Sequence, residues 1–218
     1  CPAYFNMVEI ENTKRAGELA GFLVEEIIKE PTAAAVCYGV DKMTEGQVIL
    51  VSDLGGGTYD STILMLDEGT FRPLASTGSR ELGGHNWTMD LVDLAAEKLE
   101  QQIGEDPRND LAASNDLYEK CEQAKRNFSQ MPSEIIACHY NGQLYQAAIE
   151  RDEFEQKTEW LISKMVMYAR DALTKVPRDR VDKIRLNQLN KGCNIAGRPE
   201  DSLTWADIDL ILLVGGSS

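Results

Sequence analysis

Histidine is almost missing from this chain of 218 residues: only His85 and His139 are present, well separated. Two isolated imidazoles make no metal site without acidic help. Cysteine is sparse and odd in number, at Cys1, Cys37, Cys121, Cys138 and Cys193, and no CxxC pair occurs. That spacing signals neither a zinc ribbon nor a disulfide framework, and it points to a reducing compartment, the cytoplasm. Positive charge is short as well, with 22 Lys and Arg against 36 Asp and Glu, a formal charge of −14. Such an acidic balance disfavours any mechanism built on a basic surface gripping nucleic acid or an anionic membrane. No apolar run approaches the ~20 residues needed to span a bilayer, and no signal peptide is recognisable. An initiating methionine is also lacking: the chain opens in CPAYFN and closes just after an apolar strand, which reads as a piece excised from a longer protein. What is there, 43% hydrophobic and 27% charged residues, suits one large globular domain or two small ones.

The most informative stretch is Val48 to Asp60, VILVSDLGGGTYD. An apolar run, Val48 to Val51, delivers Asp53 onto Gly55, Gly56 and Gly57, followed by Thr58 and a second β-prone run, Ser61 to Leu66. Glycines let the backbone turn tightly and leave its N–H groups uncovered, as an anion requires. A Walker or dinucleotide loop passes from strand into helix, whereas this one joins strand to strand, with no Lys after the last glycine. The residues therefore allow two readings, an ordinary glycine turn or a hairpin whose tip cradles phosphate. In the second, Asp53 is available to a magnesium shell and Thr58 as a further ligand.

Around this stretch the pattern predicts a helix from about 8 to 20, a short strand over 22–28, and a small-residue helix over 33–38 preceded by Glu30 and Pro31. A third strand over 70–77 completes an antiparallel meander. Trp87, Leu91, Leu94, Ala95 and Leu99 mark an amphipathic helix, and a second helix is expected over 111–130. One face of that second helix carries Glu122, Lys125, Arg126 and Ser129, which reads equally as a solvated stripe with an intrahelical ion pair. Two strands flank Asn141-Gly142, a type I′ turn signal. Asp152 is expected to cap a long helix reaching Thr174. Residues 176–203 look like an irregular polar surface insertion, followed by a helical turn at 205–207 and a fully buried strand, Leu210 to Val214, ending in Gly215, Gly216 and Ser217.

Seven stretches together resemble the nucleotide-binding domain of the seventy-kilodalton heat-shock chaperone family. They are PAYFN (Pro2 to Asn6), EPTAAA (Glu30 to Ala35), CYG (Cys37 to Gly39), DLGGGTYD (Asp53 to Asp60), LGG (Leu82 to Gly84), CEQAKRNFS (Cys121 to Ser129) and LLVGGSS (Leu212 to Ser218), in the family's order. The resemblance implies an α/β fold of the actin-like ATPase, ribonuclease H-like type. Here it would be partial: the tail of lobe I over 1–40, a lobe II base over 41–82 and 161–218, and an α+β upper subdomain over 83–160. It implies ATP or ADP with magnesium as ligands. In the parent chaperone it also implies unfolded polypeptide clients, a J-domain co-chaperone and a nucleotide exchange factor.

Carried over by position, Asp53 and Glu30 look like the carboxylates that hold magnesium through water, with Asp60 a nearby acid. Gly55, Gly56, Gly57 and Thr58 look like the phosphate hairpin. Glu122, Lys125, Arg126 and Ser129 match the adenine and ribose face, Gly83 and Gly84 are further nucleotide-binding positions, and Gly215, Gly216 and Ser217 match the glycine turn beside the nucleoside and α-phosphate. Met7, Glu9 and Ile10 replace the family's Asp and its Gln-Arg pair, and Asn86 replaces an acid. The family's first phosphate loop and catalytic lysine have no match in the sequence. The expectation is thus a weak nucleotide binder cut from an ATP-hydrolysing chaperone. A non-hydrolysing regulatory relative, a filament former and a small-molecule kinase on the same fold are the rivals.

Overall fold

A computed structural model describes residues 1–39 and 42–217 and divides the chain into two compact units, 1–81 with 165–218, and 82–164. Val40 and Asp41, at the expected lobe boundary, and Ser218, the last residue of the LLVGGSS run, lie outside the described residues.

The larger unit is built on a four-stranded sheet of order β3-β2-β1-β6. Strands β1 (Val48–Leu54), β2 (Tyr59–Asp67) and β3 (Thr70–Ser79) form the antiparallel meander, while β6 (Leu210–Val214) lies parallel to β1. Alternate side chains in the first half of β1 enter different cores, which is why Val48 to Val51 are apolar without a break. Val48 and Leu50 pack with Ala169, Leu173, Val181 and Ile184. Ile49 and Val51 pack with Ala35 and Leu212.

The two edges of this sheet differ. On β3, Pro73 offers no N–H, and the register shifts between Ile63 and Leu64. On β6 there is neither proline nor charge, and Ile211 and Leu213 are 51% and 70% exposed. The strand expected to be fully buried is therefore an edge strand with one covered face.

Helix α1 (Met7–Leu19) opens on a capping box: Asn6 Oδ1 accepts from Val8 N and Glu9 N, and Glu9 Oε2 accepts from Asn6 N at 2.9 Å. Helix α2 (Glu30–Tyr38) has Pro31 in its first turn and buries Ala35. The strand expected over 22–28 does not form. Its β-prone residues have no neighbouring strand to share a ladder, and Phe22 and Leu23 are 69% and 89% exposed.

The expected insertion over 176–203 is largely a helix, α6 (Arg178–Asn190), docked on the sheet through Val181 and Ile184. Its polar residues disguised it because several of them are buried or paired. Arg185 and Gln188 face inward, and Lys183 Nζ reaches Asp67 Oδ1 at 2.7 Å. Asp67 also receives Arg72 at 3.3 Å, and the Lys183 hydrogen bond leads the causes that hold its carboxyl below the usual range.

The smaller unit packs α3 (Gly84–Ile103) and α4 (Leu111–Asn127) on a hairpin of β4 (Ser133–Tyr140) and β5 (Gln143–Glu150). Leu91, Leu99, Leu117, Ile136 and Ile149 form the centre of its core. Asn141 and Gly142 both have positive φ, 49° and 78°, as a type I′ turn demands. Helix α5 (Arg151–Thr174) contributes residues to both units. It begins one residue before Asp152, which therefore lies in the first turn, and the backbone N–H of Glu150 is held by Glu153 instead, at 3.0 Å. Among the described residues, no helix is long and apolar enough to cross a membrane.

Candidate functional site

In the larger unit the loop closing β1 and β2 is Gly55 to Thr58, pinned by a bond from Gly55 N to Thr58 O at 2.9 Å. None of Gly55, Gly56 and Gly57 has positive φ. A Cβ built on Gly56 or Gly57 would meet no atom within 4 Å. Neither backbone strain nor crowding within the protein demands glycine at those two positions. Side chains there would instead cover the N–H groups at the loop tip.

Two further segments come to the foot of this hairpin. The Gly215–Ser217 turn crosses it, Ser217 N donating to Leu54 O at 3.2 Å. Gly215 has φ 101°, and a Cβ there would fall 2.2 Å from the Leu54 carbonyl oxygen and 2.7 Å from Asp53 Oδ1. This glycine is required both by backbone and by space. Helix α2 brings the exposed Glu30 at its first position.

The electrostatics of the cluster centre on Asp60. It stands opposite Asp53 in the β1–β2 ladder and is 6% exposed, with Oδ1 lacking any hydrogen-bond partner. Burial, then the charges of Asp53 and Glu30, push its carboxyl up to about 6, against the downward pull of Arg80. Burial likewise raises Asp53. Arg80 is itself engaged, stacked 4.5 Å above the Tyr4 ring and paired with Glu9 at 3.2 Å. On the other side of Asp60 lies Gly78, where a Cβ would sit 2.2 Å from Tyr59 O and 2.6 Å from Asp60 Oδ1. The sequence reading missed Gly78. It fell just past the strand expected over 70–77; β3 runs on to Ser79, and a glycine inside a strand marks a close approach.

In the smaller unit, Glu122, Lys125 and Arg126 form one bonded group on α4. Glu122 Oε2 accepts from Lys125 Nζ at 2.7 Å and from Thr88 Oγ1 at 2.5 Å, and its Oε1 accepts from Arg126 Nη2 at 3.1 Å. Lys125 also donates to Thr88 Oγ1 at 2.9 Å and to the Gly84 carbonyl at 3.0 Å. Burial acts to raise the Glu122 carboxyl, but bonds from Lys125, Thr88 and Arg126 outweigh it and hold the group low. Arg126 has a side chain 70% exposed, so one guanidinium face is open to solvent. Ser129 lies beyond the helix end, in the closing turn, with its hydroxyl donating to Arg126 O at 2.8 Å. Gly83 and Gly84 are buried at the start of α3, where Asn86 Oδ1 accepts from Gly83 N at 2.8 Å. Thr88, fully buried, was not expected from sequence; its spacing to Gly84 is ordinary helical spacing and carried no signal.

The family model described as Hsp70 protein matches residues 1–186. The chain belongs to the Hsp70 family. Members of this family bind ATP and act on polypeptide clients, and the mixed α/β architecture is consistent with part of an Hsp70 nucleotide-binding domain. Beyond residue 186 the match stops, so the end of α6, the segment leading to β6, and β6 itself lie outside it.

For magnesium, no group of three or more His, Cys, Asp or Glu among the described residues has the arrangement of a metal site. Magnesium does not require one, since it keeps several waters and takes only one or two carboxylates beside phosphate oxygens. Asp53, Glu30 and the orphaned Oδ1 of Asp60 suit that mode: their charges act on one another with little cationic compensation.

Proposed function

We propose that this chain carries nucleotide-binding elements of an ATP-hydrolysing Hsp70 chaperone of actin-like fold. The larger unit is assigned the phosphates, with Gly55, Gly56, Gly57 and Thr58 on one strand end and Gly215, Gly216 and Ser217 on the next. Asp53 and Glu30 hold magnesium through water, and Asp60 sets the charge behind them. The smaller unit is assigned the nucleoside: Arg126 stacks on adenine, and Glu122 and Ser129 bond its edge and the ribose, with Lys125, Gly83 and Gly84 shaping the face.

The observation that carries this reading is the pairing of opposites at one hairpin. A glycine tip with uncovered N–H groups suits an anion, and the carboxylates at its foot suit a cation. A metal-complexed phosphate satisfies both. Bound magnesium supplies charge neutralisation on the transferring phosphoryl group. With no match to the family's first phosphate loop or catalytic lysine, the chain by itself is a weak binder that does not sustain turnover. In the parent protein, clients, a J-domain co-chaperone and a nucleotide exchange factor are the further partners. The five free cysteines suit a cytoplasmic setting.

Calorimetry of ADP with and without magnesium tests the assignment. Asp53→Asn should abolish the magnesium dependence while leaving metal-free ADP binding in place. Equal magnesium dependence in both proteins would refute it. Single-turnover ATP hydrolysis at the rate of an intact family member would refute the claim of inactivity.

A further inference from the structure

Helix α6 and the segment after it line an open cavity of about 320 Å³, none of whose residues belongs to the sites above. Its deepest polar group is Arg185, 9% exposed, beside the partly buried Arg198. Both guanidinium groups converge on a single carboxylate oxygen: Arg185 Nη1 lies 2.8 Å and Arg198 Nη1 2.5 Å from Asp207 Oδ1. The other oxygen of Asp207 is already occupied, accepting from Thr204 N at 2.7 Å and Thr204 Oγ1 at 2.9 Å. One buried and one partly buried cation therefore share one buried anion.

Hydrogen bonding is incomplete too. Arg185 Nη2 reaches the Ser202 carbonyl at 3.1 Å, but Nε is buried with no partner, and the Nη1 contact with Asp207 lacks hydrogen-bond geometry. Burial pulls the Arg185 pKa down, Asp207 pulls it up, and the Arg198 charge pulls it down again. A buried positive excess of this kind is costly unless an anion meets it. Arg178, exposed at the rim, adds a third guanidinium, and Asp182 and Glu200 stand beside it in water, where their charges are screened.

We propose that this cavity binds a small phosphate monoester, with the phosphate on Arg185 and Arg198 and Arg178 closing over it. Paired guanidinium groups match phosphate oxygens in geometry and charge. The volume exceeds what inorganic phosphate fills and leaves room for an organic group. The lining shares no residue with the nucleotide elements, so the site is distinct from them. Ile195, Arg198, Pro199 and Glu200, which complete the wall, lie beyond the residues matched to the family.

The test is a nuclear magnetic resonance titration of the whole chain labelled with ¹⁵N-arginine, read at the Nε–Hε signals and run at constant ionic strength. Glycerol 3-phosphate and inorganic phosphate are the two probes. The expected result is a saturable shift of the Arg185 and Arg198 signals, with glycerol 3-phosphate the tighter ligand. Arg178→Ala, a rim substitution, should weaken it about tenfold, as for loss of a charged hydrogen bond, and leave ADP affinity unchanged. Shifts that are linear and reproduced by chloride would overturn the proposal. So would unaltered binding in Arg178→Ala, or a preference for free phosphate.

Discussion

Asp60 lives in a place where an ionised carboxylate is poorly tolerated, and its titration makes that measurable. Unfolded, the group releases its proton near 3.8; folded, it does so at about 6. Between those values the folded state holds more protons than the unfolded one, so its contribution to stability falls as pH rises through this window and the loss is complete above about 6. The difference corresponds to about 3 kcal/mol. Asp60→Asn should therefore stabilise the metal-free protein at pH 7 by up to about 3 kcal/mol and leave it nearly unchanged at pH 3.5; urea midpoints at the two values check this. Gly78→Ala should act in the opposite sense, costing about 1–3 kcal/mol through overpacking against Tyr59 O, and the same denaturation measurement applies. For the nucleoside face, Arg126→Ala should weaken ADP binding by about 1–3 kcal/mol, read by calorimetry. Asp53 and Gly55 to Thr58 were legible in the sequence because their run of residue types is distinctive. Thr88 was not, because a hydroxyl's importance depends on a lysine and a glutamate 34 to 37 residues away.

Elements were legible where their own residues decide them. The β1–β2 hairpin, the type I′ turn at Asn141-Gly142 and the small-residue helix α2 all carry local signals, and each forms where those signals lie. Helix α6 was obscured because its inward face contains Arg185 and Gln188, whose partner Asp207 lies some twenty residues further on. The segment over 22–28 shows the converse error, since β-prone residues do not form a strand without a neighbour. Asp207 is the fastening of the α6 region, and Asp207→Asn should cost about 3–5 kcal/mol by leaving two guanidinium groups without a counter-charge. Limited proteolysis should then cut earlier between residues 191 and 203, and an unchanged digestion rate would contradict this role.

At the scale of the whole molecule, an overall charge of −14 repels the nucleotide that the local sites attract. Screening should therefore raise the association rate of metal-free ADP as salt increases from about 20 to 150 mM, the reverse of a protein with a basic surface; stopped-flow measurements would decide it. Composition made that legible from the start, whereas the division into units at residues 82 and 165 depends on long-range packing. One last consequence concerns the two unlike margins of the larger sheet. Among the described residues, the side with Pro73 and a shifted register offers an interrupted ladder to a further strand, and the side formed by β6 offers an unbroken one. A second copy of the chain would therefore lengthen this sheet along β6 in preference to β3, joining the two molecules through backbone bonds rather than side chains.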